Sequence, residues 1–105
     1  MKENDIMLTM GQLVDMPLED FENALIEQEV NLGVIKGLIL NFESVYFELR
    51  TRKDAIIKLV TSGDKSKEEV SEVLNGLYAE LIKTEQKITY LKQRAKELDD
   101  LTIFQ

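Results

Sequence analysis

Between Leu18 and Val60 the apolar residues recur at alternating spacings of three and four: Leu18, Phe21, Leu25, Leu32, Ile35, Ile39, Phe42, Tyr46, Leu49, Ile56 and Val60. Only Gln28 and Lys53 interrupt the series. A seven-residue repeat sustained over about six heptads draws one apolar stripe along a helix. Such a stripe has to be laid against another helix. The punctuation agrees. In "DMPLED", Asp15 suits an N-cap, Pro17 a first turn, and Glu19 and Asp20 the positive end of the helix dipole. "TSGDKS" stops the repeat, with Gly63 as the residue after the cap and Ser66 and Glu69 as a capping box for the next helix. The stripe then resumes at Val70, Leu74, Leu77, Leu81, Ile88, Leu91, Ala95 and Leu98, with Thr84 as a polar interruption.

Two long helices joined by about five residues run antiparallel. The expected fold is all-α: an antiparallel coiled-coil helical hairpin with a short N-terminal helix. Residues 1–15 form the N-terminal segment, in which Thr9 and Gln12 match a capping box and Ile6, Met7, Leu8, Met10, Leu13 and Val14 supply apolar surface. Residues 16–105 form the hairpin: a helix over about 16–61, a turn at 62–66 and a helix over about 67–100. The stripe on the first arm is wide, because Val34, Leu38 and Val45 broaden it beyond what one facing helix covers. Those three residues are the expected oligomerisation surface, and a homodimeric four-helix bundle is the expected assembly.

Gly33 and Gly37 fall on the opposite side of the same helix, with Leu40, Ser44 and Phe47. Each glycine inside a helix costs about 1 kcal/mol relative to alanine. Small residues allow close backbone approach and Leu40 and Phe47 supply anchors, so these five residues are the candidate partner-binding strip.

The 105 residues contain no cysteine and no histidine. Disulfides, thiolate zinc sites, thiol nucleophiles and imidazole bases are therefore excluded. No glycine-rich phosphate loop is present, and we expect no catalytic residue, no metal site and no cofactor. The net charge of −7 is uneven: residues 1–48 carry two bases and ten acids, residues 49–105 eleven bases and ten acids. The one basic cluster, Arg50, Arg52 and Lys53, is too small for a phosphate-backbone footprint, so direct nucleic-acid binding is not expected. No apolar run reaches a membrane span, and the polar N-terminus is unlike a signal peptide, which makes the cytoplasm the expected location.

The function that follows is a non-enzymatic protein–protein interaction module that binds a partner protein through apolar helix faces. An assembly factor, an adaptor or a small inhibitor, including one carried by a phage or mobile element, fits that description. An alternative reading is an acidic inhibitor that mimics nucleic acid in the groove of a DNA- or RNA-binding protein; its binding should weaken steeply with salt. A further alternative rests on Glu69-x-x-Glu72 and Glu97-x-x-Asp100, which resemble the ExxE…ExxD magnesium signature of all-α NTP pyrophosphohydrolases. That resemblance implies magnesium held between carboxylates brought together from two helices.

Overall fold

The computed structural model describes residues 9–103, with side chains described to residue 100. Ile6, Met7 and Leu8 of the N-terminal segment lie outside the described residues. Four helices follow one another: α1 (Met10–Asp15), α2 (Leu18–Glu27), α3 (Leu32–Thr61) and α4 (Lys67–Ile103). The long arms α3 and α4 pack along each other as the helical hairpin that the heptads require. The molecule is 59 Å in its longest dimension.

Local chemistry sets most of the ends. Thr9 caps α1: its hydroxyl accepts from the Gln12 N–H at 3.2 Å, and the Gln12 side chain accepts from the Thr9 N–H at 2.9 Å. Met16 precedes a proline and is extended, which ends α1. Ser66 and Glu69 form the second capping box, with hydrogen bonds of 2.8 and 3.2 Å. The Ser66 N–H donating to the Glu69 carboxylate, with the Ser66 hydroxyl beside it, holds that carboxyl below its ordinary range. Pro17 itself occupies the N-cap of α2, so the cap expected at Asp15 sits two residues later and without a side-chain bond.

The first arm is not one helix. It breaks between Glu27 and Leu32, where the seven-residue repeat predicts continuity. Glu29 adopts φ 47°, its N–H donates to Ile26 O, and the Val30 N–H donates to Leu25 O. This is a Schellman stop, and its apolar contact is supplied by Val30 and Leu25, both buried in the core. The same pattern closes α3: Gly63, at φ 87°, donates to Val60 O, and Asp64 donates to Leu59 O. Asn31 then starts α3, its side chain accepting from the Val34 N–H at 2.9 Å.

The break lets α2 lean onto α4. Phe21 of α2 meets Phe42 of α3 and Tyr90 of α4 edge-on, with centroids 5.4 and 6.1 Å apart. Leu13, Phe21, Leu25, Val30, Ile35, Leu38, Phe42 and Leu91 form one buried cluster at the open end of the hairpin. Beyond Phe42, α3 has no fully buried residue, so the turn end is a two-helix arm.

Lys87 ties these elements together. It is fully buried on α4, and its ammonium donates to Leu13 O at 2.7 Å and Val14 O at 2.8 Å. Lys83 donates to the neighbouring Asp15 O. Two lysines of α4 thus satisfy the carbonyls at the C-terminus of α1, which carries no basic residue in its own last turn. The Lys87 ammonium also stands 5.4 and 5.9 Å from the Phe21 and Phe42 ring centroids. Burial pushes its pKa down to about 8, and Lys83 adds repulsion, while Glu80 and Asp15 pull the other way.

Two outcomes follow. Lys87→Met keeps the apolar stem but strands two carbonyls, and should lower stability by about 1.5–3 kcal/mol in urea unfolding at pH 7. Between pH 8 and 10.5 the unfolded chain holds the Lys87 proton and the folded chain does not, so this group makes stability rise with pH across that window. The wild type should therefore gain on the variant as pH rises from 8. Glu29→Gly relieves a left-handed residue and should raise the unfolding free energy by about 1 kcal/mol.

Candidate protein-docking surface

Gly33, Gly37, Leu40, Ser44 and Phe47 are brought together as the sequence predicts. All five belong to α3, at spacings of four, three, four and three, and so share one helix face. All five are exposed, Leu40 at 69% and Phe47 at 72%. Thr51 continues the spacing by one step, and its hydroxyl donates to Phe47 O at 2.9 Å. The strip from Gly33 to Thr51 spans about 27 Å at the helical rise. Asp54 and Lys58 end it.

Nothing among the described residues asks for the glycines. A Cβ built on Gly37 meets no atom within 4 Å, and one on Gly33 meets only the Asn31 side-chain oxygen at 3.4 Å. Both have helical backbone that alanine also adopts. The strip is bare, smooth and apolar, and it is edged by charge.

The expected oligomerisation residues are placed differently. Leu38 is buried in the chain's own core and is not available to a second molecule. Val34 is half-buried and packs on the same cluster, and Val45 is half-buried. The wide stripe on α3 is real, and at the open end α1 and α2 fold back onto the cluster that takes in Leu38 and Val34.

The acidic motif is also separated by the fold. Glu69, Glu72, Glu97 and Asp100 all lie on α4, which runs unbroken from Lys67 to Ile103. Its rise puts Glu72 and Glu97 about 37 Å apart, so the two pairs cannot share a metal within one chain. Among the described residues no group of three or more metal-ligating side chains comes together. No described helix is long and apolar enough to cross a membrane.

Lys87 is the residue that sequence periodicity overlooks. It follows Thr84 by three and precedes Leu91 by four, so it stands on the seam spacing, and this was the signal available. Its role is structural: its ammonium is committed to α1 carbonyls. Two shallow grooves also flank α4. One, of about 480 Å³, is lined by Leu18, Ile82 and Tyr90 among others; the second, of about 360 Å³, lies by Ile57, Leu74 and Tyr78.

Comparison with known protein families, with curated proteins and with solved structures gives no match in any of the three. Function therefore has to be argued from the surface.

Gly37→Ala supplies the test of whether the glycine serves the fold. It should leave the helix content unchanged and raise stability by about 0.5–1 kcal/mol in a urea titration.

Proposed function

We propose that the protein is a non-enzymatic interaction module that binds another protein along the outer face of α3. The observation that carries this reading is the pair of glycines. Each costs the helix about 1 kcal/mol, neither has a cause among the described residues, and both sit in a strip with two exposed large apolar side chains. Smooth backbone beside protruding Leu40 and Phe47 is a surface for a second helix, whose side chains come down onto the glycines while the two anchors enter its grooves. The hairpin holds the strip on a rigid element, with the core behind it at Ile35, Leu38 and Phe42. An assembly factor, adaptor or small inhibitor would act in this way, and cytoplasmic action fits such a module.

A photo-reactive residue placed at Ser44 in the natively expressing cell tests the proposal. It should yield a discrete cross-linked protein product, which Gly33→Leu with Gly37→Leu removes. The same probe at Asp20 on α2 serves as the control. Equal yields from both probes, or a product that survives the double leucine variant, would remove the strip from the function.

A further inference from the structure

We infer that the occupant of the α3 strip is a second copy of this chain, docked antiparallel. The inference rests on the reading of the strip as a docking surface, and it is carried by charge.

One edge of the strip bears Lys36, Glu43 and Arg50 at seven-residue intervals, with Glu29 seven residues earlier in the turn that precedes α3. The signs alternate along that edge. In an antiparallel pair of helices, like edges meet. If the two copies cross between Leu38 and Ile39, Lys36 lies across from Glu43 of the second copy, and Arg50 is carried toward the turn that holds its Glu29. Two-fold symmetry repeats both pairs, which makes four. At that register Leu40 of each copy lies over Gly37 of the other and Gly33 lies by its Ser44, so the Leu40 side chain meets bare backbone. A parallel pairing instead sets Glu43 against Glu48 and places Leu40 on Leu40 and Phe47 on Phe47.

The uneven charge of the chain points the same way. Residues 18–31 hold Glu19, Asp20, Glu22, Glu27 and Glu29 and no base. Residues 50–58 hold Arg50, Arg52, Lys53 and Lys58 against Asp54 alone. Antiparallel docking carries the basic stretch of each copy toward the acidic α2 of the other. Among the described residues, Glu29, Lys36 and Arg50 form no ion pair within the chain. Glu43 is paired with Lys92 at 3.2 Å, in an exposed bridge that a second lysine can share. The apolar strip supplies attraction, and the edges select orientation and register.

Sedimentation equilibrium on the full chain tests this with two charge-swapped variants. K36E/R50E makes the edge wholly acidic, and E29K/E43K makes it wholly basic. The wild type should dimerise at micromolar concentration. Each variant alone should be at least tenfold weaker, and an equimolar mixture should regain the wild-type affinity as a heterodimer. Circular dichroism checks that both variants remain helical, and K36Q/R50Q, with no reversed charge, should weaken the dimer less than K36E/R50E. A wild type that stays monomeric at high micromolar concentration overturns the inference, and so does a mixture that fails to associate. A dimer indifferent to both swaps and to Gly37→Leu overturns it as well. A monomeric wild type that still gives the Ser44 cross-link leaves the strip as a docking site for a different protein, so the two readings fail separately.

Discussion

A single buried ammonium holds the open end of this hairpin together. Lys87 leaves α4, stands over the rings of Phe21 and Phe42, and ends on two carbonyls of α1. Taking a lysine charge out of water is expensive unless its donors are used. Here two carbonyl oxygens and two aromatic faces replace the water. The partners come from every other element: the carbonyls from α1, one ring from α2 and one from α3. An apolar residue at position 87 would fill space but could not speak to the C-terminus of a six-residue helix. A helix of that length is marginal by itself, because nucleation outweighs so few hydrogen bonds. It persists because α4 caps it.

That clamp decides where the molecule is thick and where it is thin. With α1 and α2 drawn onto α4, the core gathers Leu13, Phe21 and Leu25 with Ile35, Leu38, Phe42 and Leu91. The wide stripe of α3 is covered from within at this end. Toward the turn the arms have only each other, and Ile57, Leu59 and Val73 remain substantially exposed. The outer face of α3 is untouched by this packing, because the covering helices come from the other side.

How much of this could be read in the sequence follows from what periodicity measures. The hairpin, its turn at Gly63 and both capping boxes were legible, since each depends on residue types at fixed local spacings. The face on which Gly33, Gly37, Leu40, Ser44 and Phe47 sit was legible for the same reason. The stop at Glu29 was not. A Schellman turn is normally signalled by glycine, and here a glutamate takes the left-handed position while the real signals, Val30 with Leu25 and the cap at Asn31, lie inside an uninterrupted apolar pattern. Lys87 was missed because an apolar count passes over a lysine on the seam. Leu38 reads as interface in the sequence and is core in the fold, because a stripe too wide for one helix shows only that more cover is needed. It does not show whose.

Two kinds of local conflict fall within nine residues of one another. Glu29 adopts a conformation that costs an L-residue about 1–2 kcal/mol, and Gly33 and Gly37 each give up about 1 kcal/mol of helix propensity. For a small domain whose whole stability is about 5–15 kcal/mol, these are substantial. Glu29 has a structural return: the turn it makes lets α2 reach α4 and the Lys87 clamp. The glycines have none among the described residues. Places where a sequence departs from its own local rules without an internal return are where contact with something else is to be sought. The glycine pair begins right after the turn that ends α2, on the face of α3 turned away from the core. Internal packing and outward docking are then served by opposite faces of one helix, α3, and the turn at Glu29 separates them.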